Sequence, residues 1–318
     1  MESLKENNTV EAEQSISRAL KILCMLQNAS HRNEEKSKCF HVMAKIYSAK
    51  ALPHLNDLDS FCEMLVKSIA LYEAERIYKY GFYKEDKEID HNIKEVQIKL
   101  IDTVFGSHSA ERFEKSYNQN EIFRQKLKEI RSRITNEYFL SLSSLPDWSL
   151  EEELQRCHEI EQIYNKIHDD MKNFLVEVFH NCCEIACLPA CDFSIIGLGS
   201  MSRKEVTPYS DIEFAILIDE NSTTAQRQYF RFLTYMIQAE IIKLGETILP
   251  GVGISSLNDF YSGKKKDDWF YDNVIPKGVS FDGMMPWACK TPLGRKEWRG
   301  EPKQEYIMTI DEIGRAHV

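Results

Sequence analysis

Gly197-Leu198-Gly199-Ser200-Met201-Ser202-Arg203-Lys204-Glu205-Val206-Thr207-Pro208-Tyr209-Ser210-Asp211-Ile212-Glu213-Phe214-Ala215-Ile216-Leu217-Ile218 is the stretch on which the fold turns. In front of it, Phe193, Ile195 and Ile196 form a short apolar run that stops at Gly197 and Gly199, the pattern of a strand entering a turn. Behind the turn, Ile212, Phe214, Ile216 and Ile218 alternate with Asp211, Glu213, Ala215 and Leu217, which predicts a second strand over residues 211–218. A short helix is expected to start at the Gly199-Ser200 pair. Backbone N–H groups at that start, the Ser200 hydroxyl and a glycine that lets a ligand approach closely make an anion site suited to phosphate. Arg203, one turn later, is placed to add a charge-assisted bond to the same anion.

Pro208, Tyr209 and Ser210 then turn the chain into the second strand, whose first residues are Asp211 and Glu213. Residues i and i+2 of a strand share a face, roughly 6–7 Å apart, so their side chains can converge on divalent ions, which in two-metal sites stand about 3.5–4 Å from each other. The apolar run from Phe214 to Ile218 would hold the pair rigidly in the core. A Gly-Ser turn alone is usually just a turn, and Asp-x-Glu alone is usually a solvated strand start. At this spacing, in a strand-turn-strand context, the two together describe magnesium-nucleotide chemistry.

Upstream, helical periodicity runs almost without interruption. Ile16, Ala19, Leu20 and Leu23, then Phe40, Met43, Ala44 and Tyr47, then Phe61, Leu65, Ile69 and Tyr72 each recur at helical spacing. Pro53 separates the second of these helices from the third, and Gly81 falls where the third is expected to stop. Paired helices of tetratricopeptide type fit this pattern, although no two copies of a 34-residue consensus align. A further helix is expected from about Asn120 to Tyr138. Ser149 and Glu152 then form a capping box that opens a long helix. Ile160, Ile163, Ile167, Met171, Phe174, Val178 and Cys182 give it one apolar stripe until Pro189 forbids continuation.

The stretch GLGSMSRKEVTPYSDIEFAIL resembles the G-S-x-x-R-x-E-x-x-P-x-S-D-x-D signature of the polymerase-β-like nucleotidyltransferases. It is similar to the amino-terminal domain of bacterial PII-protein uridylyltransferases, and more so to animal proteins that join tetratricopeptide-like helices to such a domain. A looser likeness extends from about Met171 to Trp298. The resemblance implies that Gly199, Ser200, Arg203 and Ser210 bind the nucleotide, that Glu205 supports the loop with Arg203, and that catalytic Asp211 and Glu213 hold two Mg²⁺ (or Mn²⁺) ions. It implies in-line attack of an acceptor hydroxyl on the α-phosphorus of a nucleoside triphosphate, with transfer of UMP or AMP to a protein. Two departures stand out. Glu213 replaces the family's second Asp, which alters reach but keeps an oxygen ligand for Mg²⁺. The family's third carboxylate has no clear counterpart; Asp282, in Phe281-Asp282-Gly283, is a candidate whose alternative is a turn-forming Asp-Gly.

The fold class expected is therefore α plus α/β. An all-helical region (1–148) is followed by a long connecting helix (149–190) and a mixed-sheet, polymerase-β-like transferase domain (191–312). Residues 313–318, IGRAHV, match what one reading frame of a common sequencing adapter encodes; they are set aside, and the domain is expected to continue past about Glu312.

Forty Lys and Arg against 50 Asp and Glu leave a net charge of −10, the wrong sign for holding a polyphosphate backbone along an extended surface, so nucleic acid is not the expected partner. With no apolar run long enough to span a bilayer and no signal peptide, the chain is expected to be soluble and cytoplasmic. Nine cysteines without a secretory signal read as reduced thiols, and the four within NCCEIACLPAC lack the paired hooks of a zinc site. His158, His168 and His180 are not at metal-pair spacing, Lys264–Lys266 read as a solvated loop, and Trp269, Trp287 and Trp298 as packing residues. The competing reading is a non-catalytic interaction protein whose helices bind a partner and whose degenerate domain senses nucleotide.

Overall fold

The computed structural model describes residues 2–26, 32–139, 149–188, 191–259, 262, 264–281 and 307–308. Asp282, Trp287, Cys289, Trp298 and the 313–318 segment lie outside the described residues. The first half is helical: α1 (Glu2–Met25), α2 (Asn33–Ala51), α3 (Leu58–Tyr80), α4 (Lys87–Phe105), α5 (Ser107–Ser116) and α6 (Gln119–Arg133). Pro53 sits in a short 3-10 turn, Leu52–His54, and Asp57 caps α3 by accepting a bond from Ser60 N at 3.3 Å. At the other end Gly81 takes φ +78° and donates its N–H to Ile77 O at 2.7 Å, closing α3 as a left-handed cap.

Among the described residues, α2 and α3 pack on each other most extensively. Ser68 Oγ donates to Ala44 O at 2.8 Å, and Phe40 packs against Tyr78 with ring centroids 4.9 Å apart. Helix α3 is buried on nearly every side, because α2, α4 and two later helices all pack on it. Where a continuous helix to Tyr138 is expected, α6 ends at Arg133 and the chain widens into a π turn, Ile134–Phe139. Thr135 Oγ1 donates to Arg131 O at 3.1 Å, a side-chain bond that competes with the helical ladder at this point.

The long helix α7 (Leu150–Ala186) opens on the capping box: Ser149 Oγ accepts from Glu152 N, and Glu152 accepts from Ser149 N at 2.8 Å. Its stripe is fully buried only from Ile167 onward, with Ile163 partly buried against the core. Then come β1 (Phe193–Gly197), the single-turn α8 (Gly199–Ser202), β2 (Phe214–Ile218), α9 (Thr224–Ile242), α10 (Ile248–Val252) and β3 (Ile307–Met308). Strand β2 lies between the other two, antiparallel to β1 with Phe193 opposite Ile218 and Gly197 opposite Phe214, and parallel to β3 with Ile216 opposite Ile307. Phe193 and Phe214 share one face, which α7 and α9 cover: Phe179 meets Phe214 and Phe230 meets Phe193, each pair with centroids 5.0 Å apart.

The second strand is shorter than its alternation predicts. It starts at Phe214, not Asp211, because β1 stops at Gly197; the last bond on that side is Leu198 N to Glu213 O at 2.9 Å. Ile212 finds a different neighbour, donating its N–H to Ser280 O at 2.7 Å and forming a parallel bridge with Phe281. The strict in-out alternation also fails, since Phe214, Ala215 and Ile216 are all buried.

Helix α9 joins the two halves. All thirteen residues from Phe230 to Ile242 are buried, and the helix packs against α3, α4 and α7. Polar side chains that this burial traps are paired across the halves: Arg231 with Asp59 at 3.0 Å, Gln97 Nε2 to Glu240 Oε1 at 3.0 Å, and Asn120 Nδ2 to the Glu240 carbonyl at 2.9 Å. The eight described cysteines are free, and burial pushes the Cys183 thiol up to about 11, as suits small apolar helix residues. Among the described residues, no helix is long and apolar enough to cross a membrane.

Candidate functional site

Three short segments build the site: the turn after β1, the Thr207–Ser210 turn, and the residues that lead into β2. Gly199 opens α8 at φ +54°, a conformation a side chain resists. A Cβ at this glycine would also stand 1.4 Å from Glu213 Oε2, so the carboxylate of one segment rests against the backbone of the other. The turn is tied by Met201 N to Leu198 O at 3.1 Å and Glu205 N to Ser200 O at 2.8 Å. Arg203 and Glu205 pair with each other, Nε to Oε2 at 2.8 Å, and both are solvent-exposed. Lys204 follows at φ +58°, a left-handed conformation that costs a non-glycine residue about 1 kcal/mol or more.

In the second turn Ser210 Oγ accepts from Thr207 N at 3.0 Å and lies 3.1 Å from Thr207 Oγ1, while Ser210 N donates to Thr207 O at 3.1 Å. Ser210 therefore fixes the loop that presents Asp211. Asp211 is exposed and Glu213 half-buried, and both line a cavity of about 290 Å³ with Ser202, Lys204 and Ser210. The facing wall is α7, which contributes Met171, Leu175 and Phe179 as an apolar surface, with His168 and Lys172 beside them. The structure thus brings Ser210, Asp211 and Glu213 to one cavity and packs Gly199 against Glu213. Ser200 and Arg203 are not among the residues that line it.

Two carboxylates supply hard oxygen donors of the kind that Mg²⁺ takes while keeping waters and substrate phosphates as its other ligands. Among the described residues no third His, Cys, Asp or Glu completes a metal-binding group with them. Chemically, the site offers two carboxylates, two lysines and an apolar wall in one cleft, a combination suited to a cation, an anionic ligand and a flat organic group together.

Sequence reasoning missed the α7 wall and one buried tether. Lys172 and His168 sit on a helix read only as core and surface, and the stripe Met171, Leu175, Phe179 beside them was the available signal. Arg131 of α6 had none, since its partners are 77 and 115 residues away: Nη2 donates to Pro208 O at 2.6 Å and to Glu246 Oε2 at 2.7 Å.

Comparison with known proteins gives one family. Residues 149–263 match the family described as "Putative nucleotidyltransferase DUF294". No curated protein and no solved structure matches the chain. The matched segment holds α7, the glycine-serine turn, Asp211, Glu213 and α9, and this stretch of the chain is similar to a nucleotidyltransferase domain.

Proposed function

We propose that the protein is a cytoplasmic nucleotidyltransferase that moves UMP or AMP from a nucleoside triphosphate to a protein acceptor. One observation carries this reading: Asp211 and Glu213 open onto a single cavity, with Gly199 packed against Glu213, inside the segment similar to nucleotidyltransferases. In this reading Gly199, Ser200 and Arg203 receive the phosphates, Ser210 shapes the loop, and Lys172 and Lys204 add positive charge at the cleft. Asp211 and Glu213, joined by Asp282 or another carboxylate, would hold Mg²⁺ or Mn²⁺, which when bound offsets phosphate charge. The apolar α7 wall is suited to the face of a base. The acceptor hydroxyl attacks the α-phosphorus; a new oxygen–phosphorus bond forms as the bond to the bridging oxygen breaks, pyrophosphate leaves, and the hydroxyl proton passes to solvent. Residues 191–312 are assigned to transfer, 149–190 to the connecting helix, and 1–148 to recognition of the protein partner. The likeness of the signature to that of PII-protein uridylyltransferases supports the choice of a protein acceptor.

The test is incubation of the protein with Mg²⁺ and each α-labelled nucleoside triphosphate in cell extract, beside Asp211→Ala. Label on a protein only with intact Asp211 is the expected result; label with neither form overturns the reading. Arg203 and Ser200 stand outside the residues that line the cavity, which favours a second reading, an interaction protein whose degenerate domain senses nucleotide without transferring it. For that reading, nucleotide raises the melting temperature and no label appears.

A further inference from the structure

One guanidinium of the helical half holds both flanks of the carboxylate pair. Arg131, near the end of α6, donates Nε and Nη2 to the Pro208 carbonyl at 3.2 and 2.6 Å, and Tyr209 lies over it, its ring centroid 4.2 Å from Cζ. Pro208 stands three residues before Asp211, in the turn that Ser210 closes. The same guanidinium makes a two-pronged pair with Glu246, Nη1 to Oε1 and Nη2 to Oε2 at 2.7 Å, with both side chains largely buried.

Glu246 passes the restraint to the far side. Its Oε2 accepts the N–H of Val279 at 2.9 Å. The neighbouring Thr247, at φ +41°, accepts from Gly278 N at 3.0 Å and takes the Ser280 hydroxyl on its carbonyl at 3.1 Å. Ser280 O in turn accepts Ile212 N at 2.7 Å, and Phe281 bridges Ile212. Asp211-Ile212-Glu213 is therefore held in front through Pro208 and alongside through Ser280, and both restraints meet at Arg131. A Cβ at Gly278 would stand 2.0 Å from Glu246 Oε2 and 3.0 Å from Arg131 Nη2, so the segment approaches this ion pair as closely as a glycine allows.

We propose that Arg131 is a positioning residue for the Asp211/Glu213 pair, so that the helical half is part of the transfer machinery and not only a partner-binding appendage. The inference rests on the transferase reading. Arg131 is too remote in sequence to belong to the signature and touches the loop backbone, so its effect falls on the placement of the carboxylates and not on the contacts of the nucleotide. Displacements of about 1 Å at a reacting centre can cost 100-fold in rate.

The experiment compares Arg131→Gln, Arg131→Lys and the unmodified full chain. It reads kcat and KM for the labelled nucleotide, Mn²⁺ affinity by electron paramagnetic resonance, and the melting temperature. Arg112→Gln is the control, since Arg112 also holds a carbonyl between helices, Ile185 O at 2.9 Å, but has no part in the loop. Arg131→Gln is expected to lower kcat by about 10- to 100-fold with little change in KM, and to weaken Mn²⁺ binding several-fold, in keeping with misplaced ligands. Arg131→Lys, which keeps the charge toward Glu246 but loses the fork, should fall between and serves if the glutamine variant does not fold. Unchanged kcat and Mn²⁺ affinity in both variants would overturn the proposal, as would an equal loss of kcat in Arg112→Gln at equal loss of melting temperature. If the unmodified chain neither transfers nor binds Mn²⁺, the transferase reading itself falls; if it does both and the Arg131 variants match it, only the positioning role falls.

Discussion

Gly199 and Glu213 are packed so closely that the carboxylate fills the volume a side chain at residue 199 would need, with Glu213 Oε2 1.4 Å from the site of a Cβ. The glycine of the turn and the carboxylate that leads into β2 are thus one structural unit, although thirteen residues, Ser200 to Ile212, lie between them. Gly199→Ala must both adopt φ +54° with a side chain and push Glu213 aside. The backbone term alone is about 1–3 kcal/mol. The variant should melt several degrees lower and lose most nucleotide transfer and Mn²⁺ binding; retention of full Mn²⁺ affinity would show that Glu213 is not a ligand.

Asp211→Ala tests the other carboxylate with little structural disturbance. The residue is exposed and lies ahead of β2, so the variant should stay folded and lose no more than about 1 kcal/mol of unfolding free energy in urea. Transfer should fall below detection. An unfolded variant would mark Asp211 as structural.

Glu240 is a buried acid that draws donors from both halves. It takes Lys243 Nζ at 2.9 Å, Gln97 Nε2 at 3.0 Å and Asn120 Nδ2 at 3.1 Å, while Glu240 and Lys243 are each nearly inaccessible to solvent. Glu240→Ala strips three buried donors of this acceptor and should cost about 3–5 kcal/mol, read by equilibrium urea unfolding. A loss below about 1 kcal/mol would mean that water replaces the carboxylate.

Asp86 sets an acid limit on the helical half. Burial alone would raise its pKa, but Lys79, the Tyr80 hydroxyl and the N–H groups of Ile89 and Glu88 outweigh this and hold the carboxyl well below the usual range. With a folded pKa below the unfolded one, its contribution is complete above about pH 4 and is lost as pH falls through the lower folded value. Asp86→Ala should therefore lose about 1 kcal/mol at neutral pH, the worth of an N-cap, and should show a flatter fall in stability between about pH 4 and pH 2. A parallel pH profile in both proteins would count against this assignment.

The sequence is most readable where the deciding interactions are local. The Ser149–Glu152 capping box, the Gly81 stop and the helical spacing of α2 and α3 each depend on residues within a turn of one another, and each is found. Asp211 and Glu213 could be singled out because they stand two residues apart just ahead of an apolar run and just after a glycine-serine turn. The start of β2 could not be, since it depends on where β1 stops and on a neighbour at Phe281. Arg131, Lys172 and the all-round burial of α9 are set by contacts across long stretches of chain, for which local spacing carries no signal.

The burial of α9 bears on how such a protein can be inherited and cut. A fragment beginning at Ser149 would retain α9 but leave α3 and α4 behind, turning part of a thirteen-residue buried run outward into water. The transferase-like segment is thus no interchangeable cassette: an exchange of the front helices would have to bring a matching cradle for Phe230–Ile242.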